Sequence, residues 1–504
     1  MDEQGVRHSS ATRSLTGMET DAEIQDYDVV VIGGGPAGEN AAQYAIEGTD
    51  LTAAIVEREL LGGECSYWAC MPSKALLRPI AVADLTADLE GVSTAHVAPK
   101  ALLERRDTWV SHYDDSGQAT WAEDTGIAVV RGAGRLVGER AVEVTSSAGT
   151  RRLRARRAVV IATGSEAHVP EMYADLVPWD SRDATGVVEV PDRLVVIGGG
   201  VVACEAAIWM SALGSAVTLV VRDPRLLART EPFAGETVLA GLRERGVTVH
   251  LGTEVSDVRR ADPAATGLGR IHGGTVSLTT SAGALEADEV LLSIGRSPRL
   301  DDLGLDSVGL SADDVTGGRL PEWLHAVGDA SGGPPLTHWG KHQARIVGAR
   351  IAAAVAGEAA YEPDRAAPVP QVVFSDPEVA SVGMTEAAAR EAGYDVVTSR
   401  VPTSAASGVG LLRDHVAGES QIVVDRQSRL LLGATFVGPE VGELVHAGTV
   451  AIIGDVPVHV LRHAVASYPT ASELWLRLLE GLPREMRTPP SSPSPPRQSV
   501  MNGP

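Results

Sequence analysis

The apolar residues of the chain fall into short runs that end at a glycine turn or at a charge. Val29 to Ile32 runs into Gly33-Gly34-Gly35, and a helix-forming stretch with Ala41 and Ala42 follows. Thr52 to Val56 stops at Glu57. Arg157 to Ala162 leads into Thr163-Gly164, and Leu194 to Ile197 into Gly198-Gly199-Gly200. Ala216 to Val221 ends at Arg222, and Glu289 to Ile294 at Gly295. Continuous apolar runs of this length, bounded by turn signals, predict buried strands. From Leu76 to about Gly126 the pattern is helical and acidic instead. Around Ala128 to Val137 a strand-like segment carries Gly132 and Gly134. Near Pro368 the character changes again. Strand-like Gln421 to Val424 and Arg429 to Val437, then a helix from Glu443, predict a mixed α+β unit.

Two of these runs carry a dinucleotide fingerprint. Gly33, Gly35 and Gly38 follow the first strand, and Gly198, Gly200 and Ala203 follow the later one. The three positions serve, in order, a tight turn, close approach of backbone to pyrophosphate, and close helix–strand packing. The helix that follows offers free N–H groups and a partial positive charge to the phosphates. Glu57 stands where an acid accepts ribose hydroxyl hydrogen bonds. The second strand ends instead at Arg222, with Arg225 and Arg229 beyond, and an Arg there can pair with a ribose 2′-phosphate. Two fingerprints imply two dinucleotides, most simply FAD and a nicotinamide, with NADP preferred over NAD. The expected fold class is α/β, with two Rossmann-like dinucleotide-binding domains plus the C-terminal α+β unit.

Between the first fingerprint and the helical region lies Gly62-Gly63-Glu64-Cys65-Ser66-Tyr67-Trp68-Ala69-Cys70-Met71-Pro72-Ser73-Lys74. The chain has three cysteines, and two are here; Lys74 is one of only three lysines, with Lys100 and Lys341. Five residues of ideal helix rise about 7.5 Å, beyond the roughly 7 Å that a disulfide spans. If Cys65 and Cys70 pair, the helix must open irregularly, with Gly62 and Gly63 and then Pro72 assisting. Such a bridge is of the labile, catalytic kind. The other reading of the spacing is two buried structural cysteines.

Fingerprint, Glu57 and GGxCxxxxCxPSK together resemble the class I pyridine nucleotide-disulfide oxidoreductases, from about Tyr27 to about Leu482. That family includes dihydrolipoamide dehydrogenase, glutathione reductase and mercuric reductase. The resemblance implies a discontinuous FAD-binding domain at 27–165 and 298–356, an NAD(P)-binding domain at 166–297 and a dimerisation domain at 366–482. It implies that Cys65 and Cys70 form the redox-active disulfide, Cys70 facing the flavin and Cys65 meeting the substrate. It pairs Lys74 with Glu205 beneath the flavin, where a positive Lys stabilises arriving charge. It sets Gly134 against the adenine end, Thr163 and Gly164 at the exit of the first nucleotide unit, and Gly295 at the exit of the second. Asp329 falls to the flavin ribityl chain, and the helix opening at Thr337 faces the flavin pyrimidine. His338 and His342 read as helix-face residues, and Cys204 as helix packing.

One departure bears on the substrate. Family members that act on disulfides carry His-Pro-Thr and then Glu near the C-terminus, reaching into the partner subunit. Here the segment is Ser467-Tyr468-Pro469-Thr470-Ala471-Ser472-Glu473. Tyr468 replaces the His and Glu473 keeps its place. A Tyr titrates near 10 and a His near 6.5, so Tyr468 is a poor base at neutral pH. Dihydrolipoamide dehydrogenase-like disulfide exchange is the family default. A metal ion, quinone or other small electrophile suits Tyr468 better, and His463 is the nearby alternative base. Mercuric reductase-like chains carry a C-terminal cysteine pair, and no cysteine follows Cys204 here.

Charge and composition set the remaining expectations. The net charge of -23 argues against nucleic acid and anionic membranes as partners. Sparse cysteine, no apolar leader and no bilayer-length run point to a cytoplasmic enzyme. No resident metal site is read from the sequence. A homodimer and a small-molecule substrate are expected. The 1–26 head and the Pro- and Ser-rich 483–504 tail read as disordered extensions.

Overall fold

A computed structural model of the chain describes residues 24–360 and 367–490. The first strand, β1 (Ile24–Ile32), leads through the glycine turn to α1 (Pro36–Ile46) and β2 (Ala53–Glu57). Then come α2 (Gly63–Tyr67), α3 (Cys70–Ala87), α4 (Pro99–Trp109), α5 (Ser116–Thr125) and β3 (Ile127–Arg131). Strands β4 (Ala133–Gly138), β5 (Ala141–Ser146) and β6 (Gly149–Ile161) follow. Strands β3, β2, β1 and β6 lie side by side and parallel, and β4 and β5 extend the sheet antiparallel beyond β6. Gly132 and Gly134 therefore sit at the crossing from the parallel edge to this antiparallel extension rather than in a hairpin turn.

A short helix, α6 (Ser181–Thr185), precedes the second unit: β7 (Arg193–Ile197), α7 (Val201–Leu213), β8 (Ala216–Val220), α8 (Pro232–Glu244), β9 (Thr248–His250) and β10 (Glu289–Leu292). These strands are parallel in the order β9-β8-β7-β10. The chain then returns to the first sheet, where β11 (Leu324–Ala326) pairs with β6 and α9 (Thr337–Ala356) packs on α1. The packing is close: a Cβ on Gly348 of α9 would lie 2.7 Å from Tyr44 Cβ. Strands β1, β2, β6 and β11 end together, with Ile32 opposite Val56 and Ile161, and Ile161 opposite Ala326. In an open parallel sheet the crevice beyond such strand ends is where ligands bind.

The third unit is antiparallel, in the order β12 (Gln371–Val373), β13 (Glu378–Gly383), β16 (Leu431–Gly438), β15 (Glu419–Asp425), β14 (Val396–Pro402). Helices α10 (Val445–Ile453) and α11 (Glu473–Gly481) accompany it, and Phe436 and Trp475 meet edge to face in its core. The packed chain continues past the expected boundary at 483: α12 (Arg484–Arg487) buries Met486 in the same core. The expected disordered tail is corrected to that extent, because an apolar side chain at 486 still finds a pocket. Residues 24–26 of the expected disordered head are likewise corrected, because they open β1 and pair with β6; residues 491–504, 1–23 and 361–366 lie outside the described residues. Among the described residues no helix is long and apolar enough to cross a membrane.

Candidate active site

One cavity of about 2030 Å³ runs along the strand ends of both parallel sheets. Gly33, Gly35, Glu57, Gly134, Thr163, Gly164 and Asp329 line it from the first unit. Gly198, Gly200, Glu205, Arg222 and Gly295 line it from the second, and Cys65, Cys70 and Lys74 lie between. Gly38 and Ala203 are buried beneath the turns they follow.

The glycine turns have the shapes their sequence predicts. Gly33 has φ +111°, and a Cβ there would lie 2.2 Å from the Ala162 carbonyl oxygen. A Cβ on Gly38 would lie 1.9 Å from the Gly33 carbonyl oxygen, so α1 can approach β1 only without it. Gly35 differs: a Cβ would meet nothing nearer than Gly63 Cα at 3.9 Å. Its missing side chain leaves open space at the helix N-terminus. Gly198 repeats Gly33 (φ +129°, 2.5 Å from the Ser293 carbonyl oxygen), and Gly200 repeats the open position with nothing within 4 Å. Both turns thus keep a cradle that a Cβ would fill, which fits a pyrophosphate at each. Glu57 is buried at the end of β2, and its carboxylate accepts from the Gly34 N–H at 2.6 Å and the Glu59 N–H at 2.7 Å. Asp329 accepts from the Ser165 hydroxyl at 2.5 Å.

In the second unit Arg222 stands two residues past the end of β8. Arg222 and Arg229 are exposed and both face the cavity, with Asp223 beside them. Arg225 instead donates to the Ala228 carbonyl at 2.7 Å and does not line the cavity.

The cysteine segment is broken as a bridgeable spacing requires. Cys65 lies in α2 and Cys70 opens α3, with the helix interrupted at Trp68 and Ala69. Pro72 does not cause the break. It lies in the first turn of α3, where a missing N–H has no intrahelical partner to lose. The irregular residue is Ala69, at φ −132° and ψ −92°.

Both cysteines stand as half-buried free thiols that act on each other. Their environments push them apart. The Cys65 thiol is raised, first by its hydrogen bond to Cys70 and then by burial. Cys70 is lowered to about 6, first by the Cys65 hydrogen bond, then by Thr337 and the charge of Lys74. The Thr337 hydroxyl lies 3.3 Å from Cys70 Sγ, at the N-terminus of α9. Such a pair splits into one thiolate and one thiol, which is the condition for a thiolate relay.

Lys74 donates to Glu205 at 2.8 Å, and the other Glu205 oxygen accepts from the Phe374 N–H at 3.0 Å. Lys74 Nζ also stands 4.7 Å from the centre of the Phe374 ring. Three units thus meet at one buried carboxylate. Cys204, beside it, is fully buried with its thiol pushed up to about 12 by burial, as a packing residue should be. His338 lines the cavity and pairs with the Pro370 carbonyl at 2.8 Å.

Sequence reasoning missed a second charged group at the cysteines. Arg182 of α6 donates to Glu64 at 2.7 Å and to Glu59 at 2.9 Å, and its guanidinium lies 4.1 Å from the centre of the Trp68 ring. Trp68 is thereby clamped at the break between the cysteines. Arg182 and Glu64 are 118 positions apart, and nothing in either local pattern marks the pairing.

Tyr468 and Glu473 do not join this cluster within one chain. Tyr468 is 74% exposed in the third unit, beside Val465 at 96%. Glu473 is buried at the first turn of α11, and its Oε2 has no hydrogen-bond partner. His463 is exposed one segment earlier.

A family model described as pyridine nucleotide-disulphide oxidoreductase matches residues 27–344, and the dimerisation domain of the same family matches 369–478. Dihydrolipoyl dehydrogenase from Haloferax volcanii is 33% identical over 90% of this chain and 95% of its own length. Mercuric reductase from Staphylococcus aureus is 30% identical over 89% of this chain and 81% of its own. Among solved structures, LpdA from Mycobacterium tuberculosis aligns with TM-score 0.77 at 23% identity, over 90% of this chain and 99% of that one. The HOCl-induced flavoprotein disulfide reductase RclA from Escherichia coli, as its Cu(II) complex, aligns with TM-score 0.76 at 22% identity over the same shares. Two fingerprint cradles, a split cysteine pair and matches along nearly the whole chain converge on one conclusion: this protein belongs to the pyridine nucleotide-disulphide oxidoreductase family and is an FAD-dependent, pyridine nucleotide-using enzyme.

Proposed function

We propose that the protein is a cytoplasmic, homodimeric NADPH-dependent reductase in which Cys70 is the flavin-facing thiolate and Cys65 the thiol that meets the acceptor. The observation that supports this most is the asymmetry of the pair: Cys70 has Thr337 at 3.3 Å and the Lys74 charge nearby. When bound, FAD supplies the two-electron link between nicotinamide and disulfide. The first cradle, with Glu57 and Asp329, suits its ribose and ribityl groups. Lys74, fixed by Glu205, supplies a positive charge where negative charge accumulates on reduction. The second cradle suits the nicotinamide dinucleotide, and Arg222 with Arg229 supports NADPH over NADH. A small disulfide is the acceptor that the dihydrolipoyl dehydrogenase relatives favour. Tyr468 favours a second reading, in which the acceptor is a metal ion, a quinone or another small electrophile. Anaerobic titration with NADPH tests the relay. Wild type should develop long-wavelength thiolate–flavin absorbance on reduction, Cys65→Ser should carry it before NADPH is added and lose it as the flavin is reduced, and Cys70→Ser should show it at no stage. An unchanged band in Cys70→Ser would remove Cys70 from its role.

A further inference from the structure

The helix that carries Cys65 is too short to hold itself. α2 has five residues, Gly63–Tyr67, and an isolated helix of that length is unstable in water. What packs on it must therefore set where Cys65 stands relative to Cys70. Tyr67 anchors it through its hydroxyl, which donates to the Leu61 carbonyl at 3.2 Å. The other grip comes from α6, and Arg182 there holds both ends of α2 at once. Its Nε donates at 2.7 Å to Glu64, in the first turn and immediately before Cys65. Its guanidinium lies 4.1 Å from the centre of the Trp68 ring, at the residue that closes the helix. Tyr67 and Tyr113 flank the same ring, with centroids 5.6 and 6.2 Å away. Thr185 of α6 donates its hydroxyl to the Trp68 carbonyl at 2.8 Å. Arg296 and Arg299 stand farther from Glu64, at 4.0 and 3.9 Å. Arg182, Thr185, Glu64 and Trp68 line the same cavity as the two cysteines.

The short helix α6 is itself fixed from several sides. Arg106 of α4 is buried and donates to the Thr185 and Val187 carbonyls at 2.5 and 3.1 Å. The Trp209 indole N–H of α7 donates to the Ala184 carbonyl at 3.0 Å. The Asp183 carboxylate accepts from the Gly269 N–H at 3.0 Å. The frame behind Arg182 thus draws on both nucleotide units, and α2 is held by a part of the chain that is rigid where α2 alone is not.

We propose that Arg182 is a positioning residue for the cysteine pair: by holding Glu64 and Trp68 it keeps Cys65 within reach of Cys70 and so favours the disulfide over the dithiol. The inference rests on the reading of Cys65 and Cys70 as a redox pair. Opening the bridge breaks one S–S bond and takes up two electrons and one proton, leaving a thiol at Cys65 and a thiolate at Cys70. The electrons come from the pyridine nucleotide in turnover and from dithiothreitol in the test below. Closing the bridge returns both electrons and the proton, and requires the two sulfurs to meet again. The balance between the two states follows the effective concentration of one sulfur at the other. A helix held at both ends keeps that concentration high. Without Arg182, α2 samples other positions once the bridge is open, and the disulfide becomes easier to reduce.

The test equilibrates the holoenzyme with mixtures of reduced and oxidised dithiothreitol at neutral pH. Free thiols are then trapped with N-ethylmaleimide, and the peptide carrying Cys65 and Cys70 is quantified by mass spectrometry. In Arg182→Ala, half-reduction should fall at a reduced-to-oxidised ratio about tenfold lower than in wild type, a shift of about 30 mV for two electrons. Trp68→Ala should move the ratio in the same direction. The double variant should fall short of the sum of the two shifts, because both single variants lose the same contact. Trp68→Phe keeps a ring for the guanidinium and should stay within about twofold of wild type. Independent loosening of the fold would instead give additive shifts. Additive shifts, an unmoved ratio in Arg182→Ala or a higher one would overturn the proposal; Arg182→Gln substitutes if the Ala variant fails to fold. A wild-type pair that is labelled at every ratio would remove the disulfide reading and this proposal with it. A normal wild-type midpoint that Arg182→Ala leaves in place would remove the role of Arg182 alone.

Discussion

Lys74 Nζ lies 2.8 Å from Glu205 Oε2, and the contact joins α3 of the first nucleotide unit to α7 of the second. The two ends are unequal. The Glu205 side chain is 4% exposed and the Lys74 side chain 35%. Removing Lys74 strands a buried carboxylate, whereas removing the charge of Glu205 leaves an ammonium that can turn to water. Gln at 205 can also still accept from the Phe374 N–H. Lys74→Met should therefore destabilise by about 1–3 kcal/mol, less than a fully buried pair because Lys74 is partly solvated, and Glu205→Gln by less. Urea midpoints of the holoproteins measure this, and the reverse order would contradict the burial argument.

The two glycines of the first cradle make opposite predictions. A Cβ on Gly38 collides with the Gly33 carbonyl oxygen at 1.9 Å, so Gly38→Ala must push α1 off β1 and should cost several kcal/mol of stability, on the order of other overpacked sites. Gly35→Ala meets nothing nearer than 3.9 Å and should fold normally. Its methyl occupies the space read as the pyrophosphate's. Purified Gly35→Ala should thus keep its circular dichroism but lose bound FAD. Full flavin content would show that the cradle serves something else.

What was legible in the sequence follows the same division. Gly33, Gly38 and Gly198 could be read locally because the turn itself forbids a side chain, whatever the rest of the chain does. Glu57 and Arg222 were legible because a strand end fixes where they point. Glu205 was reached by resemblance alone, since it lies 131 positions from Lys74. Arg182, Thr337 as a thiol partner and Phe374 were not legible. Each acts through a contact made only after separate units pack, and its neighbours in sequence carry no periodic or spacing signal. Pro72 misleads for the opposite reason. Its local effect depends on its place in the helix, and the break at Ala69 turns an interior proline into a harmless first-turn one.

The proposed preference for NADPH is tested at the two arginines beyond β8. Arg222 and Arg229 both border the cavity, and among the described residues neither makes an ion pair. An Arg–phosphate contact contributes about 1–3 kcal/mol, or about tenfold to a hundredfold in affinity. The Arg222→Ala, Arg229→Ala double variant should raise the KM for NADPH by at least about tenfold and leave that for NADH nearly unchanged. Equal changes for both would locate the arginines away from the 2′-phosphate.

Cys70 gives the pH prediction. Its thiol is lowered to about 6 from an ordinary value of 9.0, so its charged form is favoured in the folded protein. The thiolate should persist at neutral pH and disappear as pH falls through about 6. The long-wavelength absorbance of the reduced holoenzyme should follow the same curve. Thr337→Val removes the hydroxyl at 3.3 Å and should move that midpoint upward by roughly half a unit to one unit, as a lost hydrogen bond to the charged form requires. A midpoint that stays in place would mean that the Thr337 contact does not favour the thiolate.

The class of acceptor is tested at Tyr468. Its side chain is 74% exposed in one chain, while Glu473, five residues on, is buried with one oxygen unpartnered. Tyr468→His restores a base that titrates near 6.5, and a positioned general base contributes about a hundredfold or more. If the acceptor of the wild type is a metal ion or quinone, turnover of NADPH with lipoamide or glutathione disulfide should be poor. In Tyr468→His it should rise by at least about tenfold, with an inflection near pH 6.5. Turnover with mercuric ion or a quinone should not rise with it. Efficient disulfide reduction by the wild type, unchanged in Tyr468→His, would place thiol activation elsewhere, and the exposed Tyr468 would then have no part in choosing the acceptor.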